Sequence, residues 1–271
     1  MPVLSRPRVR LVVLGAAAAV LTTGCEAREV YEDTFALWFP DPVTDQGERI
    51  YNLWLGSVVA GSVVALFVWG LIFFALVRYR RVGNELPRQV RYNLPIEVLY
   101  TAVPFVILAV LFFYTARDQT YVNKMTAKPD VTIGVVGFKW NWQFNYAGEN
   151  LQVTGAPSEP AELVIPTNRT IRFIESSPDA IHSFYVPAFL FKRDVIPNQK
   201  DRLNQFEITV REEGRYIGRC AEFCGEKHSR MNFYVRVVSP EAYDAYIADL
   251  RRQPPAGTVQ PAVAQPPRST S

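Results

Sequence analysis

Residues with soft metal-binding side chains are scarce in this sequence. Its 271 residues include only three cysteines, two histidines and three methionines. Three cysteines exclude a fold held together by many disulfides, and any site with sulfur and imidazole ligands must use almost the whole set. The charges are nearly balanced, with 29 basic and 26 acidic residues. Charge therefore does not indicate a nucleic-acid partner.

The N-terminus has the pattern of an export signal. Three arginines precede a short apolar stretch, Leu11 to Leu21, which predicts a signal peptide over residues 1–24. The stretch ends in Leu21-Thr22-Thr23-Gly24-Cys25, which resembles the lipobox of bacterial lipoproteins with its leucine one place too early. We therefore expect Cys25 to carry lipid. The alternatives are a plain signal peptide and an uncleaved anchor.

Two long apolar runs follow, at residues 53–77 and 94–117. About 20 apolar residues are enough for a helix to cross the hydrocarbon core of a bilayer, so each run predicts a transmembrane helix. The loop between them, residues 78–93, is rich in arginine, and the positive-inside rule places it in the cytoplasm. The two helices then form a hairpin in the cell membrane with both outer ends on the extracytoplasmic side.

The remainder of the chain has a β-type pattern. Short runs of β-branched and aromatic residues are separated by turn signals, which predicts a Greek-key sandwich. A short helix is predicted over Pro240 to Leu250, and the proline-rich end over residues 251–271 is predicted to be disordered. The predicted strands are Val131–Val136, Trp140–Tyr146, Glu162–Pro166, Thr170–Glu175, Arg202–Val210, Tyr216–Cys220 and Asn232–Val238.

These patterns predict a two-helix transmembrane hairpin followed by an all-β domain. The predicted segments are the leader (1–24), an extracytoplasmic segment (25–52), the first helix (53–77), a cytoplasmic loop (78–93), the second helix (94–117), the β domain (118–250) and the tail (251–271).

One loop of the β domain contains most of the soft ligands. The segment Cys220-Ala221-Glu222-Phe223-Cys224-Gly225-Glu226-Lys227-His228-Ser229-Arg230-Met231 holds two thiols, an imidazole and a thioether. The other histidine, His182, lies upstream. Such a set favours copper over harder ions. One cysteine would be enough for a mononuclear blue-copper site, whereas two thiolates can each bridge two copper ions and share one unpaired electron between them.

Two simpler interpretations apply to the same loop. A disulfide between Cys220 and Cys224 would leave both histidines and Met231 without a role. A structural zinc site could use two cysteines and two histidines, but it has no need of a thioether.

The motif resembles subunit II of cytochrome c oxidase, and the resemblance covers roughly residues 50 to 250. The family motif Cys-x-Glu-x-Cys-x3-His-x2-Met is matched by Cys220, Glu222, Cys224, His228 and Met231, and His182-Ser183-Phe184-Tyr185-Val186-Pro187 matches the upstream ligand segment. The resemblance implies a cupredoxin-like domain that holds two copper ions, the binuclear copper A centre.

The resemblance also implies a role for each ligand. His182 and His228 would be terminal ligands, Met231 an axial ligand, and the backbone carbonyl of Glu222 the opposite axial ligand. The carboxylate of Glu222 would reach a Mg²⁺ ion shared with subunit I.

Two further segments agree with the family. Gly137-Phe138-Lys139-Trp140-Asn141-Trp142 resembles the aromatic stretch that accepts electrons from cytochrome c, with Trp140 at the accepting position. The alternative is that these aromatic residues only pack the strand. Glu97, in Glu97-Val98-Leu99-Tyr100-Thr101-Ala102-Val103-Pro104, matches a glutamate at the mouth of a proton channel of subunit I, or it is simply an exposed interface residue.

The resemblance implies a function in respiration. The chain would take electrons from cytochrome c and pass them to the haem of subunit I, where O2 is reduced to water and protons are pumped. Cys-x2-Cys-His is absent, so the donor must be a separate cytochrome c or a c-type haem domain of a neighbouring complex. A copper chaperone or sensor has no need of the hairpin, and a structural subunit of a quinol-oxidising relative would lack the copper ligands.

Overall fold

The computed structural model describes residues 37, 39–84, 86, 89–149, 151–156, 159–198 and 204–252. The predicted leader, Cys25 and most of the predicted tail lie outside the described residues. The described residues divide into two compact units. One contains residues 52–111, and the other contains residues 40–51 together with residues from 112 onwards.

Two long helices form the membrane part of the chain. Helix α1 spans Asp45–Arg78 and helix α2 spans Leu94–Val122. Both are long and apolar enough to cross a membrane, by length and composition. α1 begins well before the predicted apolar run because Thr44 caps it: the Thr44 hydroxyl accepts a hydrogen bond from the Gly47 N–H at 2.9 Å.

The β domain is a sandwich of two sheets. In the described part of the domain, one five-stranded sheet has the order β3-β2-β1-β5-β8 and the other has the order β4-β10-β9-β6-β7. The strands are β1 (Val131–Phe138), β2 (Asn141–Tyr146), β3 (Leu151–Thr154), β4 (Glu162–Pro166), β5 (Thr170–Ser176), β6 (His182–Val186), β7 (Phe191–Val195), β8 (Asn204–Thr209), β9 (Gly214–Cys220) and β10 (Asn232–Val238). Helix α3 follows at Pro240–Leu250.

The predicted fold class, two apolar helices followed by a β-sandwich, is confirmed. β3, β6 and β7 were not predicted. Trp140, which was expected to begin a strand, instead lies in the turn between β1 and β2.

An aromatic cluster fills the space between the sheets. Strands such as β5 and β10 alternate between buried and half-buried residues, so every second side chain points inwards. Phe184 stacks on Phe233 with ring centroids 4.8 Å apart, and Phe173 stacks on Phe206 at 4.9 Å. This packing fixes the ends of β6, β9 and β10, where the candidate ligands lie.

The segment before the first helix belongs to the sandwich. Val43 donates its N–H to the Ala188 carbonyl at 3.1 Å and accepts from the Arg211 N–H at 2.9 Å, and Thr44 forms an isolated bridge with Val210. The compact β unit therefore includes residues outside the predicted boundaries of 118–250.

Candidate metal centre

The candidate ligands lie at one end of the sandwich. Cys220 is the last residue of β9, and Met231 directly precedes β10. The Cys220 N–H donates to the Met231 carbonyl at 3.0 Å, which closes the base of the loop between these strands. His182 is the first residue of β6, beside β9. The loop is therefore anchored to strands on both sides.

Gly225 allows the loop to turn beneath Trp140. Its φ of +119° is a conformation that residues with a Cβ rarely adopt, and a Cβ there would lie 3.2 Å from the Trp140 ring. The following 3-10 turn, His228–Arg230, directs His228 back towards Cys224. The resulting distance from the Cys224 Sγ to the His228 Nδ1 is 3.6 Å.

The donor atoms converge around the two thiols. The Cys220 and Cys224 sulfurs are 3.8 Å apart, far longer than the roughly 2.05 Å of a disulfide. The Cys220 Sγ is 3.9 Å from the His182 Nδ1 and 3.2 Å from the Glu222 carbonyl oxygen. The Cys224 Sγ is 3.7 Å from the Met231 Sδ. All six sequence-predicted ligand residues thus meet at one place.

This arrangement fits a pair of metal ions. A metal–sulfur bond is about 2.3 Å long, so two sulfurs on one metal are at most about 4.6 Å apart. The observed separation of 3.8 Å satisfies that limit, and each sulfur has an imidazole nitrogen of its own within 3.9 Å. Thiolate, imidazole and thioether donors are the set that soft copper ions prefer.

The two thiols differ in acidity because they lie so close together. Burial raises the pKa of Cys220, but hydrogen bonds from the His182 ring and the backbone outweigh burial and lower this pKa to about 7. Burial and the negative charge of Cys220 together raise the pKa of Cys224 to about 12. A cation between the sulfurs would remove that repulsion, so metal binding favours the doubly ionised pair.

Asp179 orients His182 and was not identified from the sequence. One of its carboxylate oxygens is 2.9 Å from the His182 Nε2, which leaves Nδ1 to face the thiols. The other oxygen accepts the Lys139 N–H at 2.7 Å, next to Trp140. Burial opposes ionisation, but these hydrogen bonds lower the pKa of Asp179 overall. Carboxylate–histidine pairs of this kind commonly orient metal ligands.

Both tryptophans of the aromatic stretch contact the ligand loop. The half-buried Trp140 donates its indole N–H to the Cys224 carbonyl at 3.3 Å. The fully buried Trp142 donates to the Met231 carbonyl, also at 3.3 Å, and meets the His182 ring edge-on. Both indoles therefore donate to a backbone carbonyl of the ligand loop. Of the two, only Trp140 is partly exposed to solvent.

The chain is similar to known proteins over most of its length. Two family models match: "Cytochrome C oxidase subunit II, periplasmic domain" over residues 158–238 and "Cytochrome C oxidase subunit II, transmembrane domain" over residues 33–117. A probable cytochrome c oxidase subunit 2 of Streptomyces coelicolor is 40% identical, and the match covers 90% of this chain and 86% of that protein. The chain belongs to the cytochrome c oxidase subunit II family.

The chain is also similar to one further bacterial protein and to one solved domain. Cytochrome c oxidase subunit 2 of Mycobacterium tuberculosis is 33% identical, over 89% of this chain and 81% of that protein. The solved periplasmic domain of subunit II from Bradyrhizobium japonicum is 30% identical over 47% of this chain and 98% of that chain, with a TM-score of 0.43. As a member of the subunit II family, this chain is a membrane-anchored part of a haem–copper oxidase with an extracytoplasmic domain.

Glu97 does not belong to the compact unit that holds the ligand cluster. It is in the first turn of α2, in the unit that contains residues 52–111, and its carboxylate accepts the Asn93 N–H at 2.8 Å. This bond satisfies one of the free N–H groups at the start of the helix. Glu97 therefore also caps the start of α2, a structural role that the family motif did not indicate.

Proposed function

We propose that this chain receives electrons at a two-copper centre and passes them to the haem of subunit I, where O2 is reduced to water and protons are pumped. The single observation that supports this most strongly is the pair of thiols 3.8 Å apart, each with its own imidazole. A mononuclear site needs only one of these thiols. When bound, the copper pair supplies a one-electron redox couple shared between two metals.

The protein holds the donor atoms rigidly in place. Cys220, Cys224, His182 and Met231 are all buried, and three of them are at or next to strand ends. Ligands fixed by packing change position little when the charge of the site changes, and this lowers the barrier to electron transfer. Burial also keeps water away from the sulfurs, which would otherwise be exposed to oxidants.

Electrons from cytochrome c, or from a c-type haem domain of a neighbouring complex, would be accepted at Trp140. The observation in support is the bond from its indole N–H to the Cys224 carbonyl, because it connects a half-exposed aromatic ring to a ligand residue. Trp142 makes the same kind of bond but is fully buried, so it has no surface from which a donor could reach it.

Three further roles would connect the chain to its partners and to the membrane. The carboxylate of Glu222 would contribute to a Mg²⁺ site shared with subunit I, while its backbone carbonyl faces Cys220. Glu97 would lie at the mouth of a proton channel of subunit I. Cys25 would carry lipid after removal of residues 1–24, and an intact mass that begins at Met1, or at Cys25 without acyl chains, would exclude this.

The two-copper assignment can be tested with cysteine variants of the full-length chain. Cys220→Ser and Cys224→Ser should each abolish the mixed-valence copper spectrum, because each thiolate serves both metals. The control is Cys25→Ser, which removes the third cysteine of the chain and should leave both copper ions in place. A mixed-valence spectrum that survives either cluster substitution, or preferential retention of zinc, would contradict the proposal.

A further inference from the structure

Two glutamates on adjacent strands are buried in very different surroundings. Glu207 on β8 is 3% exposed, and its carboxylate accepts hydrogen bonds from Arg172 at 2.6 and 2.9 Å and from the Thr126 N–H at 2.9 Å. Glu175 on β5 is 0% exposed. Neither of its carboxyl oxygens has a hydrogen-bond partner among the described residues. A buried polar group without a partner is rare and needs a physical explanation.

The alternation of β5 directs Glu175 into the sandwich. Ile171 and Phe173 are fully buried on the same face of the strand, and Glu175 follows them with the period of two. Val135 on β1 and Asn204 on β8 are its neighbours in the sheet. Neither residue is titratable, so the sheet itself offers this carboxyl no charged partner.

Arg193 on β7, in the opposite sheet, has a matching unpaired group. Its Nε is buried and has no acceptor among the described residues, while another of its nitrogens donates to the Asn123 side chain at 2.7 Å. The charged groups that act on Glu175 are Arg193 and Asp194, both on β7. One sheet thus presents an unpaired carboxyl, and the other presents an unpaired N–H donor.

The carboxyl is held in its neutral form by its surroundings. Burial raises the pKa of Glu175 to about 10; Arg193 opposes this shift and Asp194 adds to it. An ionised carboxylate bonded directly to Arg193 would leave neither group unpaired, and the side-chain positions show no such bond. A neutral acid and an N–H donor can both be satisfied by one buried water, because water donates and accepts hydrogen bonds.

We propose that Glu175 is a proton-holding site inside the sandwich, where its neutral carboxyl and the Nε–H of Arg193 bind an internal water molecule. This inference does not require a metal. The site lies near the candidate metal centre: Val135 pairs with Glu175, and Gly137, two residues further along β1, lies against His182. Two residues along a strand span about 7 Å, which is the backbone distance between the β1 partner of Glu175 and the glycine beside His182.

Because of this position, ionisation of Glu175 should depend on whether copper is bound. This dependence rests on the proposed function. Positive charge added near His182 makes a neutral acid easier to ionise. Copper loading should therefore lower the pH at which Glu175 loses its proton to the solvent. On the other side, Arg193 contacts Asn123, the residue that follows α2. The site therefore lies between the metal end of the sandwich and the end of a membrane helix.

Infrared spectroscopy of the full-length chain in detergent tests the proton directly. At pH 7 the metal-free chain should show the carbonyl stretch of a protonated carboxylic acid, and Glu175→Gln should remove it. The control Glu207→Gln changes an equally buried glutamate that has partners, and it should leave the band in place. A band that is absent from the unsubstituted chain, or unchanged by Glu175→Gln, overturns the proposal.

The pH dependence of thermal unfolding provides a second measurement. The pKa of Glu175 is raised in the folded chain, so the folded state binds the proton more tightly and stability falls as pH rises from about 4.5 towards the folded pKa. Glu175→Gln, or Glu175→Val if glutamine does not fold, should remove that fall, so that its Tm advantage grows with pH. A pH-independent difference would contradict a neutral carboxyl.

Two further outcomes separate the parts of the inference. A high-resolution structure should show a water within hydrogen-bond distance of both Glu175 and the Arg193 Nε, and a direct bond between the two side chains would refute it. Copper loading should shift the infrared titration of the acid to lower pH. If the chain binds no copper, the proposed function fails while the metal-free band still tests the proton site. If copper binds without a shift, only the link to the metal fails.

Discussion

Replacement of Trp140 by phenylalanine separates electron acceptance from packing. Phenylalanine keeps most of the apolar surface but removes the indole N–H that donates to the Cys224 carbonyl at 3.3 Å. It also weakens the contact with the Lys227 ammonium group, which lies 5.7 Å from the ring centroid. Loss of one hydrogen bond at a half-buried position should cost about 1 kcal/mol of folding free energy. The fold and the ligand cluster should therefore survive.

The effect on the rate should be larger than the effect on stability. Without the indole N–H, the electron must cross from the surface ring to Cys224 through space instead of through a hydrogen bond. We expect reduction of the copper centre by cytochrome c to slow by at least about tenfold, equivalent to about 1.4 kcal/mol on the barrier. Stopped-flow absorbance of the copper-loaded oxidase measures this rate. Onward transfer to subunit I should remain unchanged.

Trp142→Phe is the matched control. Trp142 makes an equivalent bond to the Met231 carbonyl at 3.3 Å, but it is fully buried. Its replacement removes one of the two donors to the Met231 carbonyl, which keeps the Cys220 N–H at 3.0 Å. It should therefore lower stability by about 1 kcal/mol without slowing reduction by cytochrome c. Trp140 is not the accepting residue if Trp140→Phe leaves the reduction rate intact, if it strips the metal, or if both substitutions slow reduction equally.

Three other substitutions have defined outcomes. Asp179→Asn removes the negative charge bonded to the His182 ring, so the copper potential should rise in a redox titration, and an unchanged potential would mean that Asp179 only braces the loop. Met231→Leu should retain both copper ions and shift the potential, because a thioether is a weak ligand that tunes the site; loss of copper by metal analysis would contradict this. Thr44→Ala removes the cap on the Gly47 N–H and should cost about 1 kcal/mol in thermal unfolding of the sandwich, whereas no loss would mean that the cap is not needed.

Local patterns predicted three strands that alternate between buried and half-buried residues, β1, β5 and β10, and the nearly continuous apolar run of β4. β1, β4, β5 and β10 begin at the predicted residues, and α3 has the predicted bounds. Three strands were missed, and two of them, β6 and β7, have identifiable physical reasons. β6 is buried on both faces in the middle of its sheet, so its sequence shows no alternation. β7 contains three consecutive charged residues, which is tolerated because it lies at a sheet edge.

The metal site could be predicted from the sequence because most of its donor residues are close together in the chain. Four of the five predicted side-chain donors lie within twelve residues, Cys220 to Met231, and the pairing of β6 with β9 brings the fifth, His182, to them. Contacts that depend on the folded arrangement were not predictable. Asp179 reaches both His182 and Lys139 only once β1 and the loop before β6 have come together. Glu175 fits an ordinary strand pattern, and only burial shows that its carboxyl has no partner.

We propose that Cys220 and Cys224 hold two copper ions that share one unpaired electron. Electron paramagnetic resonance of the oxidised, copper-loaded chain, combined with metal analysis, tests it most directly. The geometry predicts two copper ions per chain and one unpaired electron whose hyperfine splitting arises from two equivalent copper nuclei. One copper ion per chain, or splitting from a single nucleus, would contradict a two-copper centre.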